Sequence, residues 1–376
     1  MSTSPLNLLA LGQPRLDLRN ALIARGWRIT EQFPTACEQS PDVVLFDHFS
    51  TEESFGPQVR QRFPEALRLL ECNALQSLGS ARQQLLRRRL AEGLDSNDFR
   101  ALFATSGPDL YQQMAGAALT QREIAALYRC DLSLLPSDVE INLLVNGFGM
   151  PDHLLHWCPS LLSAEPARPF AERDGFIFLA DFTDPASRDA LLWLKHSLWP
   201  MLRRRLPEAQ LQVHGISLAA RELALHQPDE GFHVQACTEP AQVLMSKARV
   251  CLAPLRFGGG IKRLLVDAIQ CGTPSVTTPI GSEAMHGALP WPGSVVSLAE
   301  ALADAAAQLY SDEARWQQAQ HTTRQLIAQR YDARWHAEAL VERIEQALMD
   351  LPQHRLFNFT GAMLCRLTDA ATDRCP

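Results

Sequence analysis

Two Rossmann-like α/β domains facing a central cleft are what this sequence predicts, and three observations carry that prediction. Short apolar runs alternate with helix-periodic stretches in both halves, the pattern of parallel sheets flanked by helices. A chain of 376 residues has room for two domains of ordinary size, each with its own core. Between the halves, residues 151–174 are rich in proline and polar side chains and read as a linker region. The expected division is a first domain over 1–160, a linker over 161–174, a second domain over 175–330, and a helix and tail over 331–376.

The elements follow in order. Residues 6–12 (NLLALG at their core) predict a strand ending in glycine, 16–25 a helix closed by Gly26, and 27–30 a second strand. Residues 42–46 (DVVLF) predict a third strand, which delivers Asp47 and His48 to a strand end, where open α/β sheets place their ligands. His48 beside Asp47 could work as an acid–base pair. Against that, side chains adjacent on an extended chain diverge, so His48 is a catalytic candidate on position alone.

Residues 62–90 (RFPEALRLLECNALQSLGSARQQLLRRRL) end in a helix carrying Arg82, Arg87, Arg88 and Arg89. Such charge runs are ordinarily solvated faces; contact with an anionic membrane or acceptor surface is the second reading. Residues 101–127 are predominantly helical in pattern, and 130–135 (CDLSLL) read as the last strand of the first domain. Ser137 and Glu140 have the spacing of a capping box at a helix start.

The second domain opens with a strand at 175–180 (GFIFLA), then a long helix running towards Arg203, Arg204 and Arg205, and strands at 211–215 and 232–234. Its most informative stretch is VCLAPLRFGGGIKRLLVDAIQCGTPSVTTPIG, residues 250–281. An apolar strand stops at Pro254, three glycines follow (Gly258, Gly259, Gly260), and Ile261, Leu264, Leu265, Ala268 and Ile269 repeat at helical spacing. Gly272 and Pro274 stop the helix, and 275–278 read as the next strand. Glycines before a helix let backbone amides approach an anion, and the helix dipole favours one there. Lys262 and Arg263 are placed badly for that dipole unless an anion binds beside them. Asp267 is one turn beyond Arg263 and about 9 Å along the axis from Ile261, the reach from a diphosphate to an attached ribose. The alternative is a glycine-rich crossover with an exposed Arg263–Asp267 pair. The chain closes with an amphipathic helix over 335–348 and an uninformative tail.

Composition narrows the classes further. With 46% hydrophobic and 20% charged residues and a net charge of −7, the chain is globular and not a general nucleic-acid binder. Nine cysteines lie without paired metal spacing, several in apolar runs, which suggests buried thiols in a reducing compartment. No signal-peptide pattern and no membrane-length apolar run are present. The expectation is a cytoplasmic protein, with peripheral contact at the inner face of a membrane through the arginine patch as an added reading.

The 254–283 segment resembles the donor-binding motif of GT-B glycosyltransferases of the retaining group-1 (family-four) class. Arg256, Gly258, Gly260, Ile261, Lys262, Gly272, Pro274, Thr277, Thr278, Gly281 and Glu283 match that motif residue by residue. Asp267 stands at the second glutamate of the family's paired glutamates, Gly259 at the first, and Leu264 replaces a second lysine. The stretch from 179 to 215 is similar to the family too, with Ser187 for an asparagine. In the first half, Glu71, Ala74 and Gln76 stand where a bacterial subgroup carries Asp, Asp and His.

The resemblance implies a GT-B fold with the acceptor half first and the nucleotide-sugar half second. It implies transfer of a sugar from a nucleotide-diphosphate donor to a hydroxyl acceptor, with retention and without a metal or other cofactor. Arg256, Gly258, Gly259, Gly260, Ile261, Lys262 and Arg263 would hold the diphosphate and Asp267 the ribose. Gly281, Ser282 and Glu283 would meet the sugar, with Glu283 a second catalytic candidate beside His48. Assembly of bacterial surface polysaccharide or lipopolysaccharide is the setting it suggests. A GT-B nucleotide-sugar epimerase and a GT-B binding protein without turnover remain as alternatives, the latter motivated by Ala74, Gln76 and Leu264.

Overall fold

The structure, a computed structural model, describes residues 5–33, 40–98, 100, 107–164 and 166–372. Two six-stranded sheets carry the fold, and every strand pair in them is parallel. The first comprises β1 (Asn7–Leu11), β2 (Arg28–Thr30), β3 (Val43–Phe46), β4 (Leu67–Glu71), β5 (Leu132–Leu135) and β6 (Leu155–Trp157), in the order β2-β1-β3-β4-β5-β6. The second comprises β7 (Asp174–Asp181), β8 (Leu211–Ile216), β9 (Phe232–Ala236), β10 (Ala248–Ala253), β11 (Ser275–Thr277) and β12 (Gly293–Val295), in the order β12-β11-β10-β7-β8-β9.

The second order is that of the dinucleotide-binding Rossmann sheet. The chain reverses direction across that sheet between β7 and β10, and across the first between β1 and β3; ligands of such sheets sit at the carboxyl ends of the strands at these points. Covering helices explain the uninterrupted apolar runs. All four residues of β3 are buried, as are all four of β5, because a parallel sheet is covered on both faces.

Every strand expected from the sequence forms, and three more join them. β4 carries Arg68 within its apolar run, while β6 and β12 are three residues each, too short to show a period. The strand at 132–135 is therefore not the last of its sheet: β6 pairs beside it inside the stretch read as linker, with Leu135 opposite Trp157.

By their contacts, residues 1–77, 111–161 and 332–376 form one unit and residues 78–110 and 162–331 the other. This division departs from the expected boundaries in two places. α1 (Leu16–Ala24) and α2 (Phe49–Arg62) stay with the first sheet, but α3 (Gln76–Ala91) belongs to the second unit from Leu78 onward. The reason is packing, since Leu85 and Leu86 are buried in one cluster with Phe176, Phe178 and Trp199. Helix Ala333–Met349 buries Leu340, Val341 and Ile344 against Leu8, Leu22 and Val43 of the first core. The tail beyond it is ordered as two helices, Leu351–Leu356 and Phe359–Thr372.

Candidate functional site

The glycine loop leaves the end of β10, at the reversal point of the second sheet. Gly258 has φ +140° and Gly260 φ +58°, backbone conformations that a side chain would disfavour. Helix Arg263–Gln270 follows, with Lys262 as its N-cap and no side-chain cap bond. Leu265, Ala268 and Ile269 are its buried face. It closes at Gly272 (φ +61°), where Thr273 N–H donates to Ala268 O at 2.8 Å.

Three consecutive loop carbonyls are held by cations. Lys262 Nζ donates to Gly259 O (2.7 Å) and Gly260 O (2.6 Å), and Arg82 Nη1 donates to Gly258 O (2.8 Å). In a planar trans peptide the N–H points opposite to the carbonyl before it. The amides of Gly259, Gly260 and Ile261 therefore face away from these two cations. Lys262 shares the loop with the amides but approaches it from the carbonyl side.

The other charged residues are placed as follows. Arg256 is 10% exposed in its side chain and pairs with both oxygens of Asp189 through one guanidinium edge, Nε to Oδ2 at 2.7 Å and Nη2 to Oδ1. Sequence reasoning misses Asp189, which lies 67 positions away with nothing local to mark it. Arg263 is 74% exposed and bonds Asp267 at 3.2 Å. Asp267 itself is buried and also accepts from Gln242 Nε2 at 3.1 Å. Burial pushes its carboxyl up, against the downward pull of Arg263 and Gln242. Leu264 packs partly buried against the core, and so does Ile261.

The loop after β11 brings in the third group. Thr278 caps helix Pro279–Ser282, its hydroxyl accepting from Gly281 N–H at 3.2 Å. Gly281 lies against Thr277: a Cβ there would stand 1.9 Å from Oγ1, the hydroxyl that donates to Ala253 O at 2.7 Å. Gly281→Ala is expected to destabilise the second unit by about 1–3 kcal/mol through overpacking, read as a lowered denaturant midpoint. Next, Glu283 pairs with Arg82 through both oxygens, 2.7 Å each, and Ala284 takes φ +61°. Arg82 thus joins Gly258 and Glu283, whereas Arg256 and the Arg263–Asp267 pair each stand in a separate ion pair.

His48 belongs to the first unit. It caps α2, its ring contacting Ser50 Oγ through Nδ1 (2.7 Å) and the Gln76 side-chain nitrogen through Nε2 (2.8 Å). Burial lowers its pKa. Asp47 turns elsewhere, accepting from Gln13 N–H and Thr51 Oγ1 at 2.6 Å each, so the two side chains do diverge. Both line a pocket of about 130 Å³ with Glu71, Ala74, Gln76 and Glu123.

Carboxylates hold the backbone of residues 75–77 beside that pocket. Glu123 accepts from the amides of Gln76 (2.7 Å) and Ser77 (2.9 Å), capping α3 where its dipole favours an anion. Glu140 accepts from Leu75 N–H at 3.2 Å. Ser137 caps its own helix through Glu140 N–H at 3.1 Å, and the Glu140 carboxylate ties that helix to the 72–76 loop. Burial pushes Glu71 up to about 7 despite Arg15, with Asp17 and Asp47 adding to the rise. A carboxyl raised on folding contributes stability below its unfolded value that is lost as pH rises to the folded one. We expect Glu71→Gln to flatten the fall in stability between pH 4.5 and 7, a term on the order of 3 kcal/mol; denaturant midpoints at several pH values read it.

The arginine patch divides. Arg87, Arg88 and Arg89 are exposed, but Arg82 is 14% exposed and engaged as above, which corrects its inclusion in a membrane-facing set. Periodicity carried the signal: Arg82 lies four residues after Leu78 and three before Leu85, on the apolar stripe. Among the described residues, no helix is long and apolar enough to cross a membrane, and no three His, Cys, Asp or Glu side chains are grouped to hold a metal ion. The seven cysteines within them are free thiols; Cys37 and Cys375 lie outside the described residues.

Residues 173–312 match the family model described as Glycosyl transferases group 1. A search of curated proteins gave no match. Among solved structures, sucrose-phosphate synthase from Thermosynechococcus elongatus is similar with a TM-score of 0.63 at 15% identity, over 92% of this chain and 99% of that one. Anabaena Alr3699/HepE, solved with UDP and glucose, has a TM-score of 0.56 at 10% identity, over 90% of this chain and 99% of that one. S. aureus TarM, solved with UDP, has a TM-score of 0.57 at 10% identity over 80% of this chain, which spans only 55% of TarM. Two six-stranded parallel sheets with flanking helices, matched over nine-tenths of the chain, make this the GT-B architecture.

Proposed function

We propose that this chain is a glycosyltransferase that moves a sugar from a nucleotide-diphosphate donor to a hydroxyl acceptor. The observation that carries the reading is the glycine loop at the reversal point of the second sheet, inside the segment that matches the group-1 glycosyltransferase model. The leaving diphosphate would lie on the amides of 259–261 and the start of helix Arg263–Gln270, where backbone dipoles meet the developing charge. Lys262 would add its charge by leaving the Gly259 and Gly260 carbonyls for a phosphate oxygen. Asp267 would reach the ribose once Arg263 swings aside, and Gly281–Glu283 would meet the sugar.

Retention at the anomeric carbon fits this site, because the departing phosphate can itself take the acceptor proton. The reaction then needs neither a metal nor a further cofactor. His48, capping α2 and bonded to Gln76, would orient the acceptor rather than carry its proton. Surface polysaccharide or lipopolysaccharide assembly at the inner face of a membrane is the setting proposed, with Arg87, Arg88 and Arg89 as the exposed cations.

A thermal-shift screen against nucleoside diphosphates and their sugars tests the reading, since a ligand at 100 times its Kd adds about 2.7 kcal/mol. A shift with turnover supports transfer. Ala74 and Gln76 favour one second reading, a binder without turnover, for which a shift without hydrolysis or transfer would be the result. No shift with any nucleotide sugar would overturn both.

A further inference from the structure

Arg82 reaches two loops of the second unit at once. Its Nη1 donates to Gly258 O at 2.8 Å and to Glu283 Oε2 at 2.7 Å, and its Nη2 donates to Glu283 Oε1 at 2.7 Å. The two side chains are 14% and 20% exposed. We propose that Arg82 is a positioning residue of the donor site, fixing the glycine loop and the 281–285 loop to one another; the proposal rests on the donor-site reading above.

Several features make this contact more than a surface ion pair. The helix that carries Arg82 is anchored by buried Leu78, Leu85 and Leu86, so the guanidinium has a fixed base. One turn earlier, Gly79 lies against the loop, where a Cβ would be 3.4 Å from Gly259 N and 3.7 Å from Gly258 C. Beyond Glu283 the backbone is held as well. Ala284 sits at φ +61° with its carbonyl accepting from Arg330 Nη2 at 2.8 Å, and Met285 O accepts from Tyr331 Oη at 2.6 Å. Glu283 is thereby pinned at its backbone on one side and at its carboxylate on the other.

The chemistry requires an arginine. A planar fork meets both carboxylate oxygens and still turns one N–H to a carbonyl, which a point-like ammonium on a flexible stem does not reproduce. Two consequences follow for a donor. Holding Gly258 O towards α3 sets the Gly259 amide in the opposite direction before any ligand arrives. Neutralising Glu283 removes a carboxylate charge that would otherwise repel a diphosphate entering beside it.

The test uses the full chain with Arg82→Lys, Arg82→Ala, Glu283→Gln and the Arg82→Ala/Glu283→Gln double variant. Hydrogen exchange of the ligand-free protein is followed at 258–261 and 281–285. Affinity is measured by thermal-shift titration with the nucleoside diphosphate that gives the largest wild-type shift, and kcat and KM with its sugar. We expect Arg82→Ala to speed exchange in both segments and weaken nucleotide affinity roughly 10- to 100-fold, the range for a lost charged hydrogen bond. KM should rise more than kcat falls.

Arg82→Lys should keep the fold but recover little affinity, and Glu283→Gln should loosen 281–285 alone. The double variant should bind no worse than Arg82→Ala, because the Arg82–Glu283 contact that Glu283→Gln breaks is already lost in Arg82→Ala. Unchanged affinity in Arg82→Ala, multiplying effects in the double variant, or exchange that accelerates throughout the second unit would each overturn the proposal. A wild-type protein that binds no nucleoside diphosphate would instead overturn the donor-site reading, a failure visible before any substitution is made, and the proposal would fall with it.

Discussion

Lys262→Ala is expected to lower kcat/KM for donor hydrolysis or transfer by roughly 10²- to 10³-fold, the scale for losing one charge-stabilising donor in a preorganised site. Its ammonium stands at the N-cap of helix Arg263–Gln270 with Gly259 O at 2.7 Å and Gly260 O at 2.6 Å. In the free protein these bonds oppose a dipole term that disfavours a cation at a helix start, worth about 0.3–1 kcal/mol. The net stability change is therefore small, and the unfolding midpoint should fall by only about 2–4 °C. In the proposed donor complex the same ammonium would face the negative charges of the diphosphate, and nothing would offset its loss. Lys262→Arg should not restore turnover, because a longer, planar guanidinium does not reproduce a compact ammonium that must sit on the loop carbonyls in the free protein and pass to a phosphate oxygen in the complex. Release of nucleoside diphosphate and a melting curve measure the two halves of the prediction. Full turnover in Lys262→Ala would remove the residue from the donor site.

The architecture was legible because parallel strands are buried on both faces and so appear as short unbroken apolar runs. VVLF in β3 and VCLA in β10 are of this kind. The glycine loop was legible as well, since consecutive glycines between a strand and a helix mark a turn whose backbone must come close to another group. What stays hidden in the sequence depends on partners distant along the chain. Nothing near Arg256 indicates that Asp189 pairs with it, and nothing near Gln76 indicates that Glu123 caps its helix. Arg82 is an intermediate case: its neighbours form a charge run, but its own helical phase puts it on the buried side. Arg68 in β4 hides a strand because a charged side chain interrupts the apolar pattern, and the reason it is tolerated there lies at Asp131.

Asp131→Ala is expected to destabilise the first unit by about 3–5 kcal/mol, the cost of breaking a buried pair and leaving its cations unpartnered. The carboxylate is 2% exposed and serves two arginines from separate parts of the chain. Arg68 donates through its amide (2.9 Å), Nε (3.1 Å) and Nη2 (2.9 Å), and Arg355 through Nε (2.9 Å) and Nη2 (2.8 Å). Arg355 also donates to Pro64 O at 2.6 Å and Ala66 O at 2.7 Å, so the carboxylate fastens helix Leu351–Leu356 to the first sheet. Burial alone would raise this carboxyl; Arg68 and Arg355 more than offset it and hold the pKa at about 2 against an ordinary 3.8. A carboxyl depressed on folding contributes stability that is fully present above its unfolded value and lost as pH falls through the folded one. Here the window is pH 4 down to 2, and the term is on the order of 2–3 kcal/mol. Asp131→Asn keeps the shape and removes the charge, so it should be much less stable than wild type at pH 7. Its deficit should then shrink towards zero as pH falls from 4 to 2, where the wild-type carboxyl protonates. Denaturant midpoints across that range read the difference, and hydrogen exchange over 351–372 should accelerate in both variants at neutral pH. A deficit that stays constant down to pH 2 would mean that shape, not charge, holds the C-terminal helices in place.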